Sequence, residues 1–155
     1  MKDYQKDTEK LEEMLKPRIV KDKENREKAR IESEKRIKIL EDLVEQQDIK
    51  SRLDNLSEKF IEKSNKKWKK ANSGIKTTFL NANGGGIYLN RYTYVLKRKL
   101  SLFPKSIKIE LRNSPHQTFR WDITTRKEVR SGEGTEELIN ALIFIFADEV
   151  DNRYR

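Results

Sequence analysis

The sequence predicts an α+β protein. A long N-terminal helix, a coiled-coil or bundle stalk, is followed by a small antiparallel β-sheet packed against a C-terminal helix. Three observations lead there. From Arg18 to Ser73 there is no glycine or proline, and the run is saturated with charge and crossed by a thin apolar stripe. Such a segment forms a helix but cannot bury enough surface against itself, so it needs something to pack on. After residue 74, aromatic and β-branched residues cluster in short alternating segments, the pattern of half-buried strands. The final apolar stretch returns to helical spacing. Residues 1–72 therefore read as a stalk, partly coiled coil, and residues 73–155 as the head domain.

The first helix starts near residue 3, with Tyr4, Leu11 and Leu15 on one face, and Pro17 is expected to end or kink it. Beyond it, Glu24–Lys28, Glu32–Arg36 and Glu34–Lys38 are acid-then-base pairs four apart, each contributing a few tenths of a kcal/mol. Up to residue 36 the apolar residues are sparse (Ile19, Val20, Ala29, Ile31), and the stretch is expected to fray when unpartnered. The stripe then sharpens. Ile37, Leu40 and Val44 follow 3–4 spacing, and so do Ile49, Leu53, Leu56 and Phe60, but the two sets do not share a heptad frame. A phase slip is expected near Gln46 and Gln47. These seven residues are the expected oligomerisation face; the competing reading is an amphipathic helix packed on its own head.

Asn72, Ser73 and Gly74 are expected to stop the helix. Ile75–Leu80 and Ile87–Leu89 then form a hairpin around Asn81–Gly86, whose Asn and Gly residues tolerate positive φ. Residues 91–103 are ambiguous. Tyr92, Val95, Leu96, Leu100 and Phe103 suit one helical face, with Asn90 as cap and Pro104 as stop. The aromatic and β-branched content around Tyr92–Val95 tips the balance to strand. Ser106–Arg112 and Thr118–Thr124 make a second hairpin around Asn113-Ser114-Pro115-His116. Ser131–Gly134 reads as a loop. Thr135 caps the last helix, Glu136 and Glu137 sit where its dipole favours anions, and Leu138, Leu142, Ile145 or Phe146, and Val150 face the sheet.

Composition narrows the functional classes. Of 155 residues, 34% are hydrophobic and 39% charged, too polar for a single globule of that length. There is no cysteine, which excludes disulfides, thiolate metal sites and cysteine nucleophiles. The charged start lacks an apolar signal core, and the longest apolar run, Ala141–Ala147, is too short to span a bilayer. A soluble, cytoplasmic protein is expected. The net charge of +9 is unevenly distributed: +4 over residues 1–70, +9 over 71–132 and −4 over 133–155.

Chemistry-bearing constellations are scarce. His116 lies in a turn without a serine, cysteine or carboxylate at triad spacing. Gly84-Gly85-Gly86 lacks the lysine and hydroxyl that follow a phosphate loop, so it reads as a hairpin turn. Glu110 and Asp122 could face each other across the second hairpin with Lys108 nearby, as in a metal-dependent nuclease, but the spacing fits no signature. No cofactor or metal is expected, and the chain reads as non-enzymatic.

The strongest signal is basic residues interleaved with aromatics. Lys66, Lys67, Trp68, Lys69 and Lys70 lie in a lysine cluster that joins stalk to head. Arg91 beside Tyr92, the Lys97-Arg98-Lys99 run, Lys105, Lys108, Arg112, Arg120 beside Trp121, and Arg126-Lys127 follow. Strand alternation would give the sheet a cationic outer face that attracts phosphates, with exposed aromatics to stack on unpaired bases. The sequence thus points to an oligomeric accessory protein binding nucleic acid, with an acidic protein partner as the alternative for a structural adaptor of assembly, inhibitor or immunity type. The lysine cluster would equally suit an anionic membrane.

Overall fold

A computed structural model describes residues 2–82, 85–114 and 118–152. Its order is α1 (Lys2–Gln46), α2 (Ile49–Lys63), β1 (Trp68–Ala82), β2 (Gly85–Arg98), β3 (Ser106–Asn113), β4 (Phe119–Thr124), β5 (Val129–Glu133) and α3 (Thr135–Asn152). The strands form one antiparallel sheet in sequential order β1-β2-β3-β4-β5. The expected α+β class stands: a long helix, an antiparallel sheet and a C-terminal helix.

The chain divides into two compact units. One joins Met1–Lys35 with Thr77–Leu89, and the other joins Arg36–Lys76 with Asn90–Arg155. In the first unit the α1 segment is exposed along most of its length, with Tyr4 and Leu11 largely in solvent. Helix α1 runs through Pro17 rather than ending there. With the neighbouring turn exposed, the carbonyl that loses its partner is free to bond water, which keeps the cost of the proline tolerable. Arg30 bridges Glu27 and Glu34 at 2.5 and 2.6 Å, three and four residues away, and the carboxyl of Glu27 is held below its usual range by the Arg30 hydrogen bond. In the hairpin of this unit the rings of Phe79 and Tyr88 lie 4.9 Å apart, and Gly86 leaves room for the Phe79 ring, which a Cβ there would strike.

The second unit holds the core. The break between α1 and α2 falls at the phase slip read from the stripe: Gln47 still donates to the Leu43 carbonyl, and Asp48 turns left-handed at φ 51°. Re-phasing the helix there lets Leu40 on α1 and Ile49, Leu53 and Phe60 on α2 all point into the core, each 3% exposed or less. Val44 and Leu56 pack at its edge, and Ile37 is half-buried. The stripe expected to pair between subunits is therefore occupied inside the chain. Of the expected oligomerisation face Ile37, Leu40, Val44, Ile49, Leu53, Leu56 and Phe60, the four buried members, Leu40, Ile49, Leu53 and Phe60, belong to the chain's own core, with Val44 and Leu56 packed against it.

The helical reading of residues 64–72 is corrected. Helix α2 stops at Lys63, because Asn65 and Lys66 take φ of 55° and 57°, and β1 begins at Trp68. Lysines favour neither state strongly, so the buried Trp68 decides: its ring meets Phe60 at 5.4 Å, and Phe60 stacks on Phe146 of α3 at 4.2 Å and 6°. Gly74, at φ 144°, lies within β1 instead of capping a helix.

One sheet face is apolar. Tyr94, Leu96, Ile107, Ile109, Leu111, Phe119, Trp121 and Ile123 are all buried, in registers such as Tyr94↔Ile109 and Leu111↔Trp121. Leu138, Ile139, Leu142, Ile145 and Phe146 of α3 are buried with them. Strand β5, expected as loop, completes the sheet. It was hidden because its inward positions are Arg130, which lies over the Phe144 ring, and Gly132, where a Cβ would lie 2.4 Å from the Trp121 ring and 2.3 Å from Glu137 Oε1. The hydroxyl of Thr135 donates to Gln47 Oε1 rather than capping α3, tying that helix to the α1–α2 break. Arg52 on α2 reaches Glu136 in the first turn of α3 at 2.7 Å.

Residues 91–103 resolve as strand to Arg98, then loop. The expected continuation ends there because Leu100 turns left-handed at φ 51° and Pro104 lacks the donor a ladder needs.

Candidate anion-binding surface

The basic residues fall into two groups according to what lies beside them. On the outer face of the sheet, β3 pairs Glu110 directly with Asp122 of β4. Glu110 takes Arg91 at 2.9 Å and Lys108 at 3.6 Å, while Arg112 approaches Asp122 at 3.9 Å. Ser131 also donates to Asp122, and Arg120 stands opposite Glu133 in the ladder. The carboxylates that suggested a metal site are engaged in neutralising this face. Among the described residues no three His, Cys, Asp or Glu groups converge as metal ligands. His116 and Gly84 lie outside the described residues.

Lys70 is likewise committed. Its ammonium contacts Asp54 Oδ1 at 2.9 Å and sits 4.9 Å over the Tyr94 ring, while the Tyr94 hydroxyl donates to the same carboxylate oxygen at 2.7 Å. Burial pulls the Asp54 pKa up, but the hydrogen bonds from Lys70 and Tyr94 outweigh it and hold the carboxyl below its usual range. Burial, with the Asp54 bond, pushes the Tyr94 hydroxyl far above its ordinary value. This triad joins α2 to β1 and β2 and is structural.

The aromatics expected to stack on bases are in the core. Trp68 is 4% exposed and Tyr92 5%, so neither offers a ring face to a ligand. Their strand positions put them inward, a direction that the run of neighbouring lysines obscures.

The other group of cations collects at one end of the sheet. Three connections meet there: the α2–β1 junction, the β2–β3 loop and the β4–β5 turn. Lys66 and Lys67 of the first, Arg98, Lys99 and Lys105 around the second and Arg126 of the third line one depression of about 610 Å³. The Lys99 amide donates to the Lys67 carbonyl at 2.7 Å, and the Arg98 amide to the Lys105 carbonyl at 3.0 Å, so backbone bonds fix the neighbourhood. No carboxylate lines the depression, and among the described residues none comes within 4.0 Å of these six cations. Lys69 and Lys97 are exposed nearby in sequence on β1 and β2. Of the residues expected to bind nucleic acid, the structure thus brings together Lys66, Lys67, Arg98 and Lys99. Lys70, Arg91, Lys108 and Arg112 stand apart, in ion pairs.

The rest of the rim is apolar and was missed as a site feature. Leu100, Leu102 and Phe103 project from the β2–β3 loop, the two leucines fully in solvent (Leu102 at 97%) and Phe103 at 64%. Arg126 lies 5.2 Å over the Phe103 ring. The available signal was an apolar triplet wedged between a basic run and a proline, too short and wrongly phased for a strand of its own.

A second surface, between α2 and α3, is an apolar groove of about 330 Å³ lined by Leu56, Phe60, Ile143, Phe146 and Val150. No helix among the described residues is long and apolar enough to cross a membrane. No family model, curated protein or solved structure matches this chain.

Proposed function

We propose that the protein is a non-enzymatic accessory protein that holds a phosphate-bearing polyanion at the cationic end of its sheet. The single observation that carries this reading is the depression lined by Lys66, Lys67, Arg98, Lys99, Lys105 and Arg126 without any carboxylate. Six positive groups converging with no internal counter-charge repel one another, and an external anion relieves that repulsion. The site supplies six cations and a single exposed ring, Phe103, with Arg126 over it, so a nucleic acid would be held mainly by its backbone, without strong sequence preference. A cytoplasmic setting suits a chain without cysteine.

The test is fluorescence anisotropy with labelled single-stranded DNA, duplex DNA and RNA across a salt series. Engaging about four to six phosphates gives a slope of roughly −3 to −4 in log affinity against log salt for single strands. Affinity then falls by roughly 50- to 350-fold between about 50 and 200 mM salt. Replacing Arg98, Lys99 and Lys105 with Ala should flatten the slope by about 2. Absence of binding at low salt to every polyanion tried, lipid surfaces included, would sink the reading.

A second reading, protein–protein docking by an adaptor, is favoured by the α2–α3 groove and by Ile143 and Phe144, about half-exposed on α3. Sedimentation over a concentration range separates the two. A mass that rises with concentration supports self-association, and one fixed at the monomer removes the homo-oligomer.

A further inference from the structure

We infer that the polyanion is an anionic lipid bilayer, into whose interface the β2–β3 loop inserts Leu100, Leu102 and Phe103. The inference rests on the phosphate-binding reading above and names its ligand.

The geometry of the loop carries it. Three of four successive residues, all but Ser101, are large and apolar and exposed on a short connection between Arg98 and Ser106. The Ser101 hydroxyl donates back to the Phe103 carbonyl, which closes the tip on itself. Apolar side chains at a loop tip contribute nothing to the chain's own core. Leu100 goes further, since it occupies the left-handed region at φ 51°, where a bulky side chain is disfavoured and Gly or Asn would be at ease. A strained, solvent-exposed leucine has no structural beneficiary within the described residues, and strain of that kind points to a site of function.

Charge complementarity selects the occupant. The cations surround the apolar tip: Arg98, Lys99 and Lys105 on the loop's own stems, Lys66 and Lys67 on the α2–β1 junction, and Arg126 against Phe103. An apolar tip that enters the acyl boundary, ringed by cations at headgroup level, is the arrangement that interfacial binding requires. Each Lys or Arg near an anionic surface adds attraction, and each buried methylene adds its transfer free energy. Nucleic acid fits less well. Two of the three apolar groups are aliphatic and offer no face for base stacking, Trp68 and Tyr92 are buried, and the one exposed ring, Phe103, already has Arg126 over it.

The experiment is vesicle flotation with the full chain, using phosphatidylcholine vesicles with or without phosphatidylserine. The protein should float with the phosphatidylserine vesicles, release at high salt and ignore pure phosphatidylcholine. The triple substitution Leu100→Ser, Leu102→Ser, Phe103→Ser should weaken partitioning by about a hundredfold or more. Its thermal melt should match the parent, because all three side chains are exposed. Since the chain has no cysteine, Leu102→Cys labelled with an environment-sensitive dye gives a second reading. Its emission should shift to the blue on phosphatidylserine vesicles and stay unchanged with oligonucleotide.

The outcomes separate. Binding to oligonucleotide but not to phosphatidylserine vesicles overturns the bilayer and leaves the phosphate-binding reading intact. Binding to neither overturns both. Vesicle binding that the triple substitution leaves untouched, or an unshifted dye, overturns insertion.

Discussion

Phe60→Ala tests whether α2 is held by the chain's own core or by a partner. The ring is 3% exposed, stacks on Phe146 at 4.2 Å and meets Trp68 at 5.4 Å. Removing a buried phenylalanine costs about 3–5 kcal/mol, the sum of lost transfer free energy and the cavity left behind. Phe60 also lines the open α2–α3 groove, so water can enter the space and the neighbours can relax into it. That argues for the lower end, about 3 kcal/mol. The unit containing Phe60 runs over Arg36–Lys76 and Asn90–Arg155, roughly 100 residues, for which unfolding entropy is about 0.2 kcal/mol/K. The midpoint of thermal unfolding should therefore fall by roughly 15 °C. Circular dichroism melts at several protein concentrations measure it. The parent's midpoint should not depend on concentration, and the variant's drop should be the same at each. A variant whose midpoint is unchanged, or whose loss disappears as concentration rises, would refute the argument that the stripe serves an internal core.

Asp54→Asn should cost about 1–3 kcal/mol at neutral pH, because it replaces the charged acceptor of Lys70 and Tyr94 with a neutral amide oxygen. Since the native carboxyl is held below its ordinary value, its contribution is complete above the unfolded-state pKa and disappears as pH falls through the lower native one. Acid titration of stability should accordingly be shallower in the variant below about pH 4, where the unfolded carboxyl protonates. Gly132→Ala should destabilise by about 1–3 kcal/mol, because the new methyl meets the buried Trp121 ring at 2.4 Å; a urea midpoint equal to the parent's would show that β5 does not pack as described. Leu100→Gly should raise stability by about 0.5–1 kcal/mol, by relieving the left-handed φ at a side chain that touches nothing inside; a lower melting midpoint would mean that Leu100 does support the fold.

Much of the fold was legible because the hydrophobic pattern is simple where packing is one-sided. The alternation of Ile107, Ile109 and Leu111 against Trp121 and Ile123 reads directly as the inward face of a hairpin. The slip between Val44 and Ile49 marks the break that Asp48 makes. What stayed hidden depends on contacts distant in sequence. Trp68 looks like an exposed aromatic among lysines until Phe60, eight residues earlier, folds back over it. Strand β5 has glycine where a core residue would announce it, since the Trp121 ring already fills that volume. The stripe on α1 and α2 reads the same whether it meets a second subunit or the chain's own sheet, because periodicity records a buried face and not what buries it.

The candidate site illustrates a different limit. Basic residues from Lys66 to Arg126 look like one long cationic surface in the sequence, yet only part of that charge faces outward uncompensated. Two carboxylates make the difference. Glu110 and Asp122, adjacent across the β3–β4 ladder, absorb Arg91, Lys108 and Arg112 and leave the middle of the outer face mixed in sign. No carboxylate lines the depression at the other end, because Glu128 of the β4–β5 turn pairs with Arg130 instead, so the cations there keep their field. Field strength follows this local arithmetic rather than the net charge of the whole chain. The apolar tip sits where the uncompensated charge is concentrated, and the bilayer we propose as its ligand answers both features, an anionic skin for the cations and an oily interior for the leucines.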